Sequence, residues 1–185
     1  HTYTSAGNYT TLLTATSDSG CVNSTTFNFD VFPNPTTLFD TTDVCLNVAA
    51  QFTDNSNANG SVITGWDWDF KNDGNVDAIA QGPVTNTYLA EGVYPVSLVA
   101  TTKDGCKDTL VKSVSIYPMP TANFYFLNQC FGINIDFTDV STVSNATTSN
   151  SLVDWQWNLG GLNTSAIQSP SHLYGEDGAY DVELI

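Results

Sequence analysis

The segment Trp66-Asp67-Trp68-Asp69-Phe70 decides the fold of this protein. Aromatic side chains alternate with acids along it, so Trp66, Trp68 and Phe70 face one way on a β-strand and the acids face the other. Burying an aromatic side chain contributes about 2–3 kcal/mol. The alternation therefore predicts a strand with one face in a hydrophobic core, and it makes these three aromatics predicted core residues.

Alternation with a period of two continues outward from this strand. The stretch 93–101 alternates in the same way, and no part of the chain shows sustained 3.6-residue periodicity with helix caps. Turns are marked by Asp73-Gly74, Glu91-Gly92, Asp104-Gly105 and Asp177-Gly178. Short strands at about 8–12-residue spacing, separated by such turns, predict an all-β antiparallel sandwich.

Composition excludes several classes of function. The 185 residues include only 4 Lys+Arg against 19 Asp+Glu, which gives a formal net charge of −15. Four cations cannot neutralise a nucleic-acid backbone, and anionic membrane surfaces would repel the chain. No apolar run approaches the roughly 18–20 residues that span a bilayer. We therefore expect no nucleic acid as a partner and no membrane insertion of this segment.

The sequence repeats itself at an offset of 85 or 86 residues. The matching segments are Tyr3–Tyr9 with Tyr88–Tyr94 and Tyr174–Tyr180, Gly20-Cys21 with Gly105-Cys106, Phe32-Pro33 with Tyr117-Pro118, Phe52–Ser56 with Phe137–Ser141, and Trp66–Phe70 with Trp155–Leu159. The last pair is four residues out of register, which predicts a longer preceding loop in the later copy. We predict that residues 1–33 are the C-terminal part of a repeat, 34–118 a complete repeat, and 119–185 the N-terminal and middle part of a third. The chain is thus expected to be a window on a longer tandem array.

A corner of the form Tyr-x-x-x-Gly-x-Tyr occurs in each copy. Glycine supplies a backbone angle that other residues resist, and a tyrosine at such a corner commonly bonds its hydroxyl to nearby backbone. The recurring aromatics are therefore predicted to be structural core residues. Besides the first three, they are Tyr88, Tyr94, Trp155, Trp157, Tyr174 and Tyr180.

Together these residues resemble the PKD (polycystic kidney disease) domain. Trp68-Asp69-Phe70 with Asp73-Gly74, followed by the stretch 86–98, is similar to that family's Trp-x-Phe-Gly-Asp-Gly and His-x-Tyr…Gly-x-Tyr-x-Val segments. The resemblance implies tandem immunoglobulin-like β-sandwiches, one complete and two partial. The type with a Cys before the second strand and a Gly-Cys turn resembles long bacterial surface proteins, many of them gliding-associated adhesins exported by type IX secretion. The later copy has lost the acids of the motif, which weakens any site on that loop but not the fold.

Four cysteines, two for each repeat length, suit an exported protein in an oxidising environment. In an immunoglobulin-like sandwich Cys45 and Cys106 fall at opposite poles, roughly 20 Å apart, whereas bridged Cα atoms lie within about 7 Å. We therefore expect disulfides between adjacent repeats rather than inside one. The cysteines concerned are Cys21, Cys45, Cys106 and Cys130.

Two further kinds of site are suggested by short motifs. The loop 69–77 has oxygen-bearing side chains at its first, fifth, seventh and ninth positions, which suits Ca²⁺; these are Asp69, Asp73, Asn75 and Asp77. Lys71 occupies a ligand position, so a polar Asp-Gly hairpin turn is the alternative, and no other cofactor is expected. Thr41 and Thr109 follow aspartates in a pattern that resembles the O-glycan sites of gliding bacteria.

No catalytic template such as Gly-x-Ser-x-Gly or His-Glu-x-x-His is present, so we expect no enzyme activity. The expected function is a structural stalk segment of a long extracellular or cell-surface adhesin. Its partners would be neighbouring repeats of the same chain, with a polysaccharide or protein ligand bound elsewhere in the full-length protein. Two alternatives remain: a carbohydrate- or protein-binding accessory module of a secreted hydrolase, and a self-assembling extracellular fibre subunit. A stalk predicts that all four Trp are buried, whereas a binding module predicts exposed aromatics.

Overall fold

The described part of this chain consists of strands, turns and irregular loops. The computed structural model describes residues 1–144 and 150–185, and contains no helix in those ranges, hence none long and apolar enough to cross a membrane. The strands are β1 (Gly7–Thr16), β2 (Val22–Val31), β3 (Phe39–Thr41), β4 (Val44–Cys45), β5 (Ala49–Asp54), β6 (Ile63–Asp69), β7 (Val84–Thr87), β8 (Gly92–Thr102), β9 (Lys107–Tyr117), β10 (Phe124–Phe126), β11 (Ile135–Asp139), β12 (Trp157–Asn158), β13 (Thr164–Ser165), β14 (Ser171–His172) and β15 (Glu183–Leu184).

These residues divide into two compact units. The first comprises His1–Val44, Val48–Thr87 and Val93–Ser115, and the second comprises Cys45–Asn47, Tyr88–Gly92 and Ile116–Ile185.

The first unit contains a three-stranded and a four-stranded sheet, and the aromatic strand β6 is an edge strand of the four-stranded one. One has the order β3-β5-β7 and the other the order β4-β9-β8-β6. Trp68 on β6 lies opposite Leu98 on β8, and both side chains have 0% of their surface exposed. Period-two alternation thus places them on the inner face of the sheet. The all-β, immunoglobulin-like sandwich expected from the sequence is confirmed.

Aromatic contacts join the two sheets of the first unit. The Trp68 ring meets Phe39 edge-on with centroids 5.2 Å apart and lies 6.1 Å from Phe52. Phe70 continues the cluster, 4.9 Å from Phe52. The indole N–H of Trp68 donates to the carbonyl oxygen of Ala80 at 2.9 Å, so the buried ring leaves no polar atom unpaired. The other buried apolar residues of this unit are Ala50, Val96, Leu98, Ala100 and Val114.

The second unit has the same pairings at the expected offsets. Its sheets have the orders β10-β11-β14 and β13-β12-β15. Trp157 lies opposite Leu184, as Trp68 lies opposite Leu98. The Trp157 ring meets Phe124 edge-on with centroids 5.0 Å apart, the counterpart of the Trp68–Phe39 contact.

The hairpin β1–β2 is the sequence counterpart of the hairpin β8–β9 and forms a two-stranded sheet of its own. Its ten-residue strands pair antiparallel throughout. Leu13, 85 residues before Leu98, is 63% exposed. The turns of the two hairpins have the same hydrogen bond: Ser17 N–H bonds to Cys21 O, and Thr102 N–H bonds to Cys106 O, both at 2.9 Å.

We predict that Leu98→Ala lowers the free energy of unfolding by about 2–5 kcal/mol, because it leaves a cavity at a site enclosed by both sheets. The matched control is Leu89→Ala, whose side chain is 87% exposed and whose loss should change stability by less than about 0.5 kcal/mol. Urea unfolding followed by tryptophan fluorescence measures both. Equal effects of the two variants would contradict the core assignment.

Candidate functional site

The candidate calcium ligands lie at the end of β6, where Asp69 is the last residue, and in the turn that follows it. Asp69 Oδ1 accepts hydrogen bonds from the backbone N–H groups of Lys71 at 3.1 Å and Asp73 at 3.2 Å. Its Oδ2 accepts from the N–H of Gly74 at 2.7 Å. Gly74 has a φ of +89°, a region that favours glycine, so the sequence permits the turn that aims these donors at the carboxylate. Asp69 is 7% exposed and acts as the internal anion of the turn.

The turn stabilises the ionised form of Asp69. Burial alone raises the pKa of this carboxyl group, but the hydrogen bonds from the backbone N–H groups of the turn, led by that of Gly74, outweigh burial and hold the pKa below its usual value.

The other candidate ligands also bond within the turn. Asp77 Oδ2 accepts from the backbone N–H of Phe70 at 2.7 Å. Asp73 Oδ1 accepts from both the backbone N–H and the side-chain amide of Asn75, at 3.0 and 2.9 Å. No group of three or more His, Cys, Asp or Glu is arranged to hold a metal ion in residues 1–144 and 150–185. The geometry therefore supports the Asp-Gly hairpin turn, the alternative that the sequence left open.

The matching turn of the second unit keeps only part of this arrangement. Asn158 replaces Asp69 and accepts one backbone hydrogen bond, from Gly160 N–H at 3.1 Å. The N–H of Leu159 bonds to the carbonyl oxygen of Asn163 at 2.8 Å, in place of a carboxylate. A neutral amide and a backbone carbonyl thus close this turn without any acid.

A second polar arrangement, which we call the Asp54 brace, consists of Asp54, Ser56, Trp66 and the backbone of Leu38. Asp54 Oδ1 accepts from the N–H of Ser56 at 3.0 Å, and its Oδ2 accepts from the indole N–H of Trp66 at 2.7 Å. The Ser56 hydroxyl accepts from the N–H of Leu38 at 3.1 Å and donates to its carbonyl oxygen at 3.2 Å. The brace ties the segment before β3, the end of β5 and β6 together.

The same brace occurs 85 residues later, around Asp139. Its carboxylate accepts from the N–H of Ser141 at 2.9 Å and from the indole of Trp155 at 2.9 Å, while the Ser141 hydroxyl bonds to the N–H and carbonyl of Asn123 at 3.0 and 3.3 Å. Burial raises the pKa of Asp139, but hydrogen bonds from Ser141, Gln168 and Trp155 outweigh it and lower the pKa. Sequence reasoning noted the recurring Phe-Thr-Asp-x-Ser motif without assigning it this role.

Both braces correct the expectation that all four tryptophans are buried. Trp68 and Trp157 are buried, but Trp66 and Trp155 are half-buried. The outer tryptophans direct their indole N–H groups to the brace aspartates near the sandwich margin. Alternation assigns a side chain to one face of the sheet, but it does not specify how much of that side chain the neighbouring structure buries.

The corner tyrosines bond to backbone as expected. The hydroxyl of Tyr9 donates to Ser5 O at 2.8 Å, and that of Tyr180 donates to Glu176 O at 3.0 Å, each four residues back. Tyr180 is nevertheless 42% exposed, so its assignment to the core is wrong. Its ring contacts that of Tyr174, with centroids 4.0 Å apart.

Burial varies among the other corner tyrosines. Tyr88 is buried, and Tyr94 and Tyr174 are half-buried. The Tyr174 hydroxyl donates to Leu159 O at 2.7 Å; burial, and secondarily the neighbouring Tyr180, raise the pKa of Tyr174.

The two candidate O-glycan residues differ in access. Thr109 is exposed on β9, whereas the hydroxyl oxygen of Thr41 is buried. A glycan on Thr41 would require β3 to move, which argues against that site.

None of the four cysteines forms a disulfide. Cys21, Cys45 and Cys130 are exposed, and Cys106 is half-buried. No bond joins Cys45 to Cys106.

One protein-family model matches part of the chain. Residues 30–116 match the sequence model of the PKD domain. No curated protein matches the chain.

Three solved structures are similar at low identity. The PKD1 domain of the Vibrio cholerae metalloprotease PrtV is 22% identical, with a TM-score of 0.39, covering 45% of this chain and 98% of its own. The PKD1 domain of Vibrio anguillarum Epp is 20% identical, with a TM-score of 0.40, covering 46% and 96%. A structure from a study of carbohydrate-binding modules of the β-sandwich superfamily is 13% identical, with a TM-score of 0.43, covering 83% of each chain.

We predict that Asp69→Asn lowers the free energy of unfolding at pH 7 by about 1–3 kcal/mol, because the amide cannot accept all the backbone hydrogen bonds of the turn. Since the folded-state pKa lies below 3.8, the carboxylate's contribution is fully present above that value and is lost as pH falls through the folded-state pKa. The difference between wild type and variant should therefore shrink in acid. The control Asp67→Asn, two residues earlier on the same face of β6, should leave the free energy of unfolding and its pH dependence unchanged. A difference that is constant from pH 7 to pH 2 would refute the assignment.

We also predict that millimolar Ca²⁺ produces no binding heat and no change in Tm, because the turn's own N–H groups occupy the Asp69 oxygens. A ligand at about 100 times its Kd would stabilise the folded protein by about 2.7 kcal/mol. Titration calorimetry and thermal unfolding check this, with Mg²⁺ as the ionic-strength control. A Ca²⁺-specific rise in Tm that Asp69→Asn abolishes would establish the calcium loop instead.

Proposed function

Residues 30–116 match the model of the PKD domain, and on this basis we propose that the chain is a non-enzymatic stalk segment of an extracellular or cell-surface protein. PKD domains are generally non-catalytic modules of secreted or surface proteins. Each PKD-like repeat would act as a rigid spacer that sets the distance between the ends of the stalk. We propose further that this protein is an adhesin of the gliding type, exported by type IX secretion.

The recurrence of the brace and the ring cluster carries this proposal. The brace aspartates Asp54 and Asp139 are 85 residues apart and hold a tryptophan, a serine and the preceding strand in the same way. The ring contacts Trp68–Phe39 and Trp157–Phe124 recur with them. A chain that builds the same self-contained core twice at a fixed interval is suited to adding one length of reach with each copy.

Proline-bearing junctions support the spacer role. The junctions are 32–35 and 117–120, and each carries two prolines. Proline fixes φ and restricts the residue before it, which limits bending. The side-chain amide of Asn59 also donates to Asn34 O at 2.9 Å, so the end of the first junction is tied to the sandwich that follows.

The outer tryptophans weigh against the binding-module alternative. A sugar-binding platform presents an open aromatic face with its polar edge free for the ligand. Trp66 and Trp155 are half-buried, and Asp54 and Asp139 already accept from their indole N–H groups. The same arrangement at both places fits a structural brace better than a ligand platform.

The net charge of −15 suits a crowded surface. Like-charged stalks repel one another, and this keeps neighbouring fibres apart and soluble. It argues against the self-assembling fibre, which would have to bring such surfaces into lateral contact.

The proposal is tested with a fusion in which residues 1–171 are followed directly by residues 1–185. This joint keeps the register, because His1 and His172 occupy equivalent positions two residues before a corner tyrosine. The fusion adds two repeat lengths. Strands of 11 residues at about 3.3 Å per residue span about 36 Å, so its maximum dimension should exceed that of the single chain by about 70 Å.

Small-angle X-ray scattering measures both dimensions. As a control, a Gly-Ser linker of about ten residues between Met119 and Pro120, both exposed, should broaden the distance distribution. A folded fusion that lengthens by less than about one strand length, roughly 36 Å, would reject the spacer.

A further inference from the structure

The position of Cys45 is set by the end of strand β9. The backbone N–H of Leu46 donates to the carbonyl oxygen of Tyr117 at 2.7 Å, and Tyr117 is the last residue of β9. Cys45 therefore immediately precedes the residue that bonds to the Tyr117 carbonyl, close to the end of the 34–118 segment. Its side chain is exposed, so its thiol is accessible at that end.

The position of Cys106 is set by the turn between β8 and β9. The N–H of Thr102 bonds to Cys106 O at 2.9 Å, and the N–H of Cys106 bonds to the Thr102 hydroxyl at 3.2 Å. Gly105, with a φ of +83°, permits this tight turn. The turn holds the Cys106 thiol 3.9 Å from the carbonyl oxygen of Phe32.

These two carbonyls occupy equivalent positions. Phe32 and Tyr117 are 85 residues apart, and each precedes a proline of a junction. In a repeat that ends at Phe32, the cysteine equivalent to Cys45 would lie one residue from the Phe32 carbonyl, which Cys106 already approaches. The two cysteines would thus lie beside the same carbonyl oxygen, and a disulfide between them would require their Cα atoms to be about 4.4–6.8 Å apart.

We propose that a disulfide spans each junction between consecutive repeats, joining the cysteine at the position of Cys45 to the cysteine at the position of Cys106 in the following repeat. This inference rests on the tandem arrangement of the proposed function. Two thiols lose two protons and two electrons to form the S–S bond. The oxidant is a small-molecule or protein disulfide, which is reduced to two thiols by exchange.

Such disulfides would link the two repeats on either side of a junction covalently, whereas the prolines only limit bending at the junction. Each bond would close a loop that contains one whole junction, and successive loops would overlap along the chain. A cross-link of this kind removes conformations from the unfolded ensemble. Tension on the stalk would then have to break a covalent bond before neighbouring repeats could separate.

The fusion of residues 1–171 with residues 1–185 tests this directly. It places Cys45 and Cys130 of the first copy against Cys21 and Cys106 of the second copy, respectively. After oxidation with a glutathione redox mixture, non-reducing peptide mapping should find two linked peptides, Cys45–Cys21 and Cys130–Cys106. Four of the fusion's eight cysteines should remain free, and the single 185-residue chain should keep all four of its thiols.

A variant with Cys45→Ser in the first copy provides the matched control. It should lose the Cys45–Cys21 peptide and keep Cys130–Cys106. A Cys45–Cys106 peptide from within one repeat, or eight free thiols in a folded and oxidised fusion, would overturn the proposal. An elongated fusion with free thiols would reject the disulfides and leave the spacer standing, whereas a bridged but compact fusion would reject the spacer.

Discussion

The burial of Trp68 is the constraint on which the first sandwich depends. Its side chain is enclosed only when β6 is in register with β8 and the opposite sheet supplies Phe39 and Phe52. The indole N–H must also find an acceptor, because an unpaired buried donor costs about 1–3 kcal/mol. Ala80 supplies that acceptor, so the loop after β6 has to return across the strand. One side chain thus fixes strand register, sheet stacking and the path of a loop.

Several acidic residues stabilise this fold by accepting hydrogen bonds from N–H groups of the chain. Asp54 joins strands, Asp69 closes a turn, and Asp108 Oδ2 accepts from the N–H of Thr37 at 2.8 Å. The hydrogen bond from Thr37, opposed by partial burial, lowers the pKa of Asp108. These carboxylates are paired with N–H groups rather than with cations, which explains how a chain with only 4 Lys keeps charged groups inside its structure. Some of the acidic residues that produce the net charge therefore stabilise the fold through hydrogen bonds, and only the others serve to make the surface negative.

Sequence periodicity predicted the fold because a strand's inner face is encoded locally. The alternation around Trp68 predicted the strand and its inner face, and the recurrence of this motif at residues 155–159 predicted the equivalent strand of the second unit. The brace could not be predicted in this way, because Asp54 and Trp66 are 12 residues apart and meet only when two sheets pack. The hydrogen bonds of Asp69 depend on the geometry of the turn, and the burial of the Thr41 hydroxyl depends on how the sheets pack. Neither can be read from the alternation of residues.

Differences between the two units show which interactions the sandwich requires. Trp157 is as well enclosed as Trp68, yet its indole N–H has no hydrogen-bond partner in the described part of the chain. Asn158 keeps one of the backbone hydrogen bonds that Asp69 makes. The loop after the aromatic strand therefore tolerates weaker polar closure, at a cost of about 1–3 kcal/mol for an unpaired donor. The burial of the central tryptophan and the brace around Asp139 persist, whereas Phe124 is only half-buried where its counterpart Phe39 is fully buried. The two units therefore differ in the loop after the aromatic strand while they keep the tryptophan at the centre of the ring cluster and the brace, which identifies these two features as the ones that the sandwich requires.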